Sequence, residues 1–342
     1  MKKVTSYIPA FEELLLKVNP NEVSENAYAI SYLTDLINHR KHYLKIYSVV
    51  LEKVLEAEDL ENVKLLDFGT GNGLLALFAK FCGVKTVFAS DVSSDFLEAA
   101  KTLSKQLDIQ IDGWIFGNED TLLDYFKNTK IDVVVGTDVI EHIYNLEHFF
   151  KVLQQLNSSV TTVFTTASVA ENFFKSRKLK QLQIKDELED SNAFQASYSN
   201  EFAGQSFLEI RKKIITAFHP ALAENEIEKL AIATRGLIKS DIEMVVNDYL
   251  VNKKIPNAIS HKTNTCDPIT GSWTERLLSV KEYRKIYTNS NLELTVFNGF
   301  YNSSENGFKA YLANILNTII VLVGKPSITI SPFIILKGNP KK

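Results

Sequence analysis

The sequence predicts an α/β protein whose core is a doubly wound, seven-stranded and mostly parallel sheet. Three observations support this prediction. Apolar segments of strand length alternate with helical segments between residues 63 and 167. The first of these strands runs through a glycine turn directly into a helix. Two further strands, at 292–300 and 327–337, follow a long helical stretch and complete the sheet.

Length and composition describe an ordinary globular protein. The chain has 342 residues, of which 45% are hydrophobic and 23% charged, and its net charge of −3 gives no indication of nucleic-acid binding. Its two cysteines form no C-x-x-C pair, which fits a reducing compartment and argues against a zinc-thiolate site. The N-terminus has no apolar stretch of signal-peptide length, and the longest apolar run, 315–323, is too short to cross a bilayer. We therefore expect a cytoplasmic protein.

The order of the predicted elements suggests three regions. Residues 1–62 read as an N-terminal helical cap, with a short helix at 11–18 and a long one at 24–58. Residues 63–167 and 276–342 supply the strands of the core. Residues 168–275 read as a helical insertion of domain size, which we expect to act as a substrate lid.

The glycine turn lies in the segment Val63–Gly83, where Gly69, Gly71 and Gly73 follow the first strand. Glycine lets the backbone turn sharply and approach a ligand closely. Asp67 stands two residues before the first glycine. A carboxylate there would repel a diphosphate and attract a cation, although it could also simply cap the following helix.

The spacing Asp67-x-Gly69-x-Gly71-x-Gly73 resembles motif I of the class I S-adenosylmethionine-dependent methyltransferases, which have a Rossmann-like fold. A second match is the run Asp138-Val-Ile-Glu-His-Ile143 after the fourth strand, which is similar to the ubiquinone-biosynthesis type of small-molecule methyltransferase. The resemblance covers 63–167 well and 276–339 loosely. It implies S-adenosylmethionine as cofactor, with its α-amino group near Asp67.

The resemblance also implies further cofactor contacts at the ends of the later strands. Asp91 ends the second strand and would accept both ribose hydroxyls, unless it caps the next helix. Asn118 follows the third strand and would read the adenine amino group, with Glu119 and Asp120 as substitutes. Thr137, at the end of the fourth strand, is assigned to the cofactor as well.

His142 is the candidate catalytic residue, and three interpretations stay open. It could act as the general base that takes a proton from a hydroxyl, because its unperturbed pKa lies near neutrality. It could bind a divalent metal ion together with Asp138 and Glu141, with His261 as a second histidine ligand. It could also be a structural residue that bonds to a neighbouring backbone group.

The end of the insertion supplies the candidate substrate contacts. Trp273 would offer a stacking surface, and polar contacts would come from His261, Asp267, Glu275 and Arg276. The same loop could equally be held by its Asp-Pro and Thr-Gly turns alone. The basic helix predicted at 173–189 could be an ordinary amphipathic helix, an anionic-substrate site or a weak membrane-surface contact.

Taken together, the sequence predicts O-methylation of a small-molecule, sugar or lipid-like acceptor, without a nucleic-acid partner. Three alternatives are a metal-dependent RNA 2′-O-methyltransferase, an NAD-dependent dehydrogenase and a non-catalytic cofactor-binding or scaffolding protein. The sequence does not indicate an oligomeric state.

Overall fold

The computed structural model describes residues 3–55, 60, 62–190, 202, 204–257, 263–304 and 307–341. Its seven strands are β1 Lys64–Phe68, β2 Thr86–Asp91, β3 Gly113–Phe116, β4 Val133–Thr137, β5 Thr161–Thr166, β6 Leu292–Asn298 and β7 Ile334–Pro340. The described helices are α1 Ile8–Leu15, α2 Ala27–Asn38, α3 Arg40–Leu55, α4 Leu74–Phe81, α5 Ser94–Gln106, α6 Glu119–Tyr125, α7 Leu146–Leu156, α8 Phe173–Leu188, α9 Phe207–Phe218, α10 Glu224–Ala233, α11 Lys239–Asn252, α12 Val280–Asn289 and α13 Phe308–Val323.

All seven strands form one sheet in the order β3-β2-β1-β4-β5-β7-β6. The first five strands are parallel, and β7 lies antiparallel between β5 and β6. The predicted seven-stranded, mostly parallel sheet is therefore confirmed. The chain order reverses between β1 and β4, and ligands of such sheets bind at the carboxyl ends of the strands beside this point.

The chain divides into two compact units. The sheet unit comprises Met1–Ile140, Asn145–Val169 and Ser279–Lys342, and the insertion unit comprises Glu141–Tyr144 and Ala170–Leu278. The predicted limits of the insertion, 168 and 275, lie close to those of the second part of this unit. The four residues 141–144 also belong to it, which the sequence did not predict.

The N-terminal helices α1–α3 belong to the sheet unit. Phe11, Leu33 and Leu51 are buried in the same apolar cluster as Leu65 of β1 and Phe78 of α4. Burying these side chains against the sheet removes their apolar surface from water, which is the physical reason that the helices pack there.

Two predicted elements differ in the structure. The helix expected at 24–58 is two helices, because the backbone leaves helical geometry at His39, which has φ −105° and ψ 20°. The strand expected at 327–337 begins only at Ile334, since residues 325–330 form a 3₁₀ helix. Pro332 lies between them and has no backbone N–H for a strand ladder.

The insertion unit has its own apolar core. Ile210 and Ile214 of α9, Leu230 of α10, and Ile242 and Val246 of α11 are buried together. The prediction that this region is helical agrees with α8–α11. None of the described helices is both long and apolar enough to cross a membrane.

Candidate active site

The glycine turn after β1 has a backbone that only glycine adopts easily. Gly69, Gly71 and Gly73 have φ values of 68°, 53° and 81°. A Cβ atom at Gly69 would lie 2.3 Å from Cγ2 of Val139, and one at Gly73 would lie 2.9 Å from Cβ of Ala100. The turn therefore requires glycine both for its dihedral angles and for the close packing of its neighbours.

Asp67 lies under this turn and is 1% exposed. Its Oδ2 atom accepts hydrogen bonds from Thr70 Oγ1 at 2.6 Å and from the backbone N–H of Ala76 at 3.1 Å. Because Ala76 is in the first turn of α4, Asp67 does cap that helix. Burial raises the pKa of Asp67 to about 7, against the lowering effect of these two bonds. Both described bonds use one carboxylate oxygen, so the capping contact leaves Oδ1 for another partner.

Asp91 links the end of β2 to the glycine turn. Its Oδ2 atom accepts from the backbone N–H of Gly71 at 2.8 Å, and Oδ1 accepts from that of Ser93 at 2.9 Å. The alternative that Asp91 is the N-cap of α5 is wrong, because Ser93 occupies that position and accepts from Phe96 N. Burial raises the pKa of Asp91. The carboxylate therefore faces the turn, at the carboxyl ends of two adjacent parallel strands.

Asn118 lies shortly after β3, and Thr137 is the last residue of β4. Asn118 caps α6 by accepting from the backbone N–H of Asp120 at 3.2 Å. Thr137 is half-buried at the last position of β4, where it is paired with Thr165 of β5. The next residue, Asp138, is exposed and has φ 51°, a conformation that is uncommon outside glycine and concentrates at functional sites. The cofactor roles of Asn118 and Thr137 stay predictions.

Helix α2 lies against the glycine turn, a contact that the sequence suggested only in general terms. Asn72 Nδ2 donates to the backbone carbonyl of Ala29 at 3.1 Å. A Cβ atom at Gly71 would lie 3.3 Å from Cε1 of the Tyr32 ring. Desolvation, and then the charge of Asp138, raise the pKa of Tyr32, so its phenol stays protonated. Tyr32 is a neighbour of the turn that the sequence analysis did not identify.

His142 lies in the insertion unit with the loop that ends the insertion. Its Nδ1 atom is 2.8 Å from the backbone carbonyl of Trp273, and its own carbonyl accepts from Trp273 N at 3.2 Å. A backbone carbonyl only accepts hydrogen bonds, so Nδ1 must carry the proton. In the neutral ring Nε2 is then the unprotonated nitrogen, and it has the free lone pair that a general base needs.

The loop containing the predicted substrate residues is internally well bonded. Trp273 is 5% exposed, stacks on Tyr144 with ring centroids 6.2 Å apart, and donates from Nε1 to the carbonyl of Tyr144. The guanidinium carbon of Arg276 lies 4.2 Å from the centroid of the Trp273 ring. A stacking surface for a substrate must be exposed, so these contacts favour a structural role for Trp273. Glu275, another predicted substrate contact, has a positive φ of 47°. The remaining candidate, His261, lies outside the described residues.

The buried face of α8 holds this loop in place. Gln183 is fully buried, and its Nε2 atom donates to the carbonyls of Thr274 and Glu275 and to Oδ1 of Asn264. Thr274 also donates to Asp186, at 2.9 Å. A polar buried face of this kind cannot be recognised from hydrophobic periodicity, so the sequence did not predict that α8 buries Gln183 and Asp186.

The residues that the structure describes contain no group of three or more His, Cys, Asp and Glu side chains that could hold a metal ion. This applies to Asp138, Glu141 and His142, the set considered for a divalent ion. The second histidine of that hypothesis, His261, lies outside the described residues.

Comparison with known proteins identifies the class of the domain that contains the glycine turn. Residues 37–197 match a family model described as a methyltransferase domain. That segment includes β1–β5, the glycine turn, Asp67 and Asp91. The chain therefore carries a class I S-adenosylmethionine-dependent methyltransferase domain, and the family predicted from the sequence is confirmed. S-adenosylmethionine is the cofactor of this class, and the glycine turn and its two carboxylates suit it.

Individual relatives match over limited stretches. Ribosomal protein L11 methyltransferase of Fusobacterium nucleatum is 28% identical over 113 residues, which are 32% of this chain and 35% of that protein. Ubiquinone biosynthesis O-methyltransferase of Rickettsia typhi is 29% identical over 120 residues, which are 35% of this chain and 46% of that protein. The chain thus spans less than half the length of these relatives.

The similar solved structures include the crystal structure of magnesium protoporphyrin IX methyltransferase from Synechocystis PCC 6803 with bound S-adenosylhomocysteine. Its alignment with this chain has 14% sequence identity and a TM-score of 0.40, and it covers 98% of this chain and 97% of that chain.

Proposed function

We propose that the protein transfers the methyl group of S-adenosylmethionine to a hydroxyl oxygen of a small-molecule, sugar or lipid-like acceptor. The observation that carries this proposal is the pair of buried carboxylates around the glycine turn. Asp67 and Asp91 would repel the diphosphate of a dinucleotide, whereas Asp67 attracts the α-amino group of S-adenosylmethionine and Asp91 accepts from its ribose hydroxyls.

The cofactor supplies the electrophilic methyl group, and the chain supplies alignment and one proton acceptor. The acceptor oxygen forms a bond to the methyl carbon as the carbon–sulfur bond breaks, which leaves S-adenosylhomocysteine. The hydroxyl proton goes to His142 Nε2, because Nδ1 is already protonated and bonded to the carbonyl of Trp273. His142 follows Thr137, the last residue of β4, by only five positions in the chain.

The names of the relatives do not agree on one acceptor: one relative is named for a ribosomal protein, whereas the name ubiquinone biosynthesis O-methyltransferase specifies oxygen as the methylated atom. The proteins of Rickettsia typhi and Pelagibacter ubique are both named ubiquinone biosynthesis O-methyltransferase, and the second is 32% identical over 93 residues. The family-model match, residues 37–197, contains the glycine turn, Asp67 and Asp91. The acceptor class is therefore inferred from the proposed role of His142, since a general base is more useful for a hydroxyl than for an amine.

The first experiment separates the cofactor classes. Calorimetric titration of the full chain should give saturable binding of S-adenosylhomocysteine and none of NADH. Binding of NADH alone would refute the proposal and favour a dehydrogenase.

The second experiment tests turnover by following S-adenosylhomocysteine release against a panel of phenols, sugars, hydroxylated lipids and RNA, with and without a chelator. Methylation of a small hydroxyl compound that persists with chelator is the expected result. Chelator-sensitive methylation of RNA would replace the proposal with the RNA 2′-O-methyltransferase. Cofactor binding without turnover on any class would favour the non-catalytic alternative.

A further inference from the structure

Helix α13 presents its large apolar side chains to solvent. Phe308, Tyr311, Leu322 and Val323 are 74%, 62%, 80% and 51% exposed. Together with Leu312, Ile315 and Ile319, which are 39–42% exposed, they follow helical spacing and make one continuous stripe. We call this set of seven side chains the α13 apolar stripe. An amphipathic surface helix normally turns such a stripe towards the core, so its outward direction requires an explanation.

The rotation of α13 is set by bonds on its opposite face. The small side chains of Ala310 and Ala313 are buried there, together with Ile320. Asn317 accepts from the backbone N–H of Tyr301 at 2.7 Å and donates to the carbonyl of the same residue at 3.0 Å. This two-way bond holds the face with Ala310, Ala313 and Asn317 against the protein, so the apolar stripe faces outward.

From residue 307 to residue 342, the charged residues in the sequence are all lysines. There are five of them, and no aspartate or glutamate. Lys309 and Lys325 are exposed at the two ends of α13. The nearest acidic residue in the sequence, Glu305, lies outside the described residues. An apolar stripe bounded by lysines is complementary to a surface that combines hydrocarbon with negative charge.

A second copy of the chain fits this surface less well. Antiparallel pairing of two α13 helices would bring Lys309 of one copy within about one helical turn of Lys325 of the other. Parallel pairing would set equivalent lysines side by side. The stripe is also wider than the narrow seam of a paired helix, and the positions beside it carry no opposite charges that would select a partner helix.

We propose that the α13 apolar stripe binds the surface of an anionic lipid bilayer, with the helix lying in the plane of the interface. The apolar side chains enter the boundary between headgroups and acyl chains, and Lys309 and Lys325 contact the anionic headgroups. The helix has 16 residues, which suits an in-plane position, since spanning a bilayer takes about 20 apolar residues. This binding surface is independent of the proposed methyl transfer.

The test is flotation of the full chain with vesicles of phosphatidylcholine alone, or of phosphatidylcholine and phosphatidylglycerol in equal amounts. The expected result is binding to the mixed vesicles that weakens with added salt. Ile315→Gln with Leu322→Gln should lower the vesicle affinity at least about tenfold, because apolar burial is lost. Lys309→Ala with Lys325→Ala should lower it about fivefold per lysine, on the anionic vesicles only.

The matched control is Met244→Gln with Val251→Gln, which replaces two exposed apolar residues of α11 and should leave flotation unchanged. Circular dichroism and S-adenosylhomocysteine binding verify that each variant is folded. Equal flotation of wild type and the Ile315/Leu322 variant would overturn the proposal. Light scattering that finds a dimer in the wild type and a monomer in that variant would also overturn it, in favour of a second copy. If Phe174→Gln lost flotation while the α13 variants kept it, the proposal would be wrong and α8 would be the membrane-binding helix.

Discussion

The pH dependence of cofactor binding should depend on Asp67. Its carboxyl group has a pKa of about 7 in the folded protein without cofactor, against 3.8 for an unperturbed aspartate. The difference corresponds to a free-energy cost of about 4 kcal/mol for ionising this buried group. An ammonium group beside Oδ1 stabilises the ionised form and removes part of that cost.

Binding and deprotonation are therefore coupled. Below about pH 7 most of Asp67 is protonated, so the proposed pairing of the cofactor's amino group with this carboxylate requires the loss of a proton. The affinity for S-adenosylhomocysteine should fall by up to about tenfold for each pH unit below that value. Above it, the contribution of Asp67 to binding should be fully present.

The informative variant is Asp67→Asn. The amide oxygen can still accept from Thr70 Oγ1 and Ala76 N, so the turn keeps its bonds while the charge is lost. Calorimetry between about pH 5 and pH 8 should show a steep profile for the wild type and a shallow one for the variant. At pH 8 the variant should bind about tenfold to a hundredfold more weakly, the range expected for a lost bond to a charged group. Titration of the ligand's own amino group is common to both proteins and cancels in the comparison.

The same pKa governs the stability of the protein without cofactor. A carboxyl whose pKa is raised on folding contributes stability that is complete below the unfolded value of 3.8 and is lost as the pH rises through about 7. Asp67→Asn should therefore flatten the fall in unfolding free energy across this window.

Parallel binding profiles for wild type and variant would refute the assignment of the amino group to Asp67. Asp124→Asn, at an exposed carboxylate, is the matched control.

Three further predictions concern other parts of the chain. Asp91→Ala should weaken S-adenosylhomocysteine binding at least about tenfold in calorimetry, since it removes a charge and the acceptor of Gly71 N; unchanged affinity would contradict the ribose assignment. His142→Ala should lower turnover on the accepted hydroxyl compound while cofactor affinity is unchanged; turnover at the wild-type rate would make His142 structural. Arg211→Met should lower the unfolding free energy by about 3–5 kcal/mol in denaturant titration, because it leaves the Glu187 carboxylate buried without its ion pair; a variant as stable as wild type would show that this pair contributes nothing net.

The fold and the glycine turn were predicted largely from local patterns. A strand, three glycines and a helix in direct succession restrict the backbone to few conformations, and helix α4 has the bounds that the glycines imply, between Gly73 and Gly83. The alternation of strands and helices then leaves few ways to bury both sheet faces. Where these restrictions are weak, the predictions were wrong. The break between α2 and α3 has no proline or glycine, and the 3₁₀ helix before β7 interrupts a run of β-branched residues.

The sequence by itself determined that Asp67 and Asp91 lie beside the glycine turn, because their positions follow from the ends of β1 and β2. Only the tertiary structure decided how those residues are used. It shows Asp67 capping α4, Ser93 instead of Asp91 capping α5, and His142 bonded to a carbonyl 131 residues further along the chain. It also shows that α8 buries polar groups while α13 exposes apolar ones. Such features depend on partners distant in the sequence, which no local pattern of propensity or periodicity encodes.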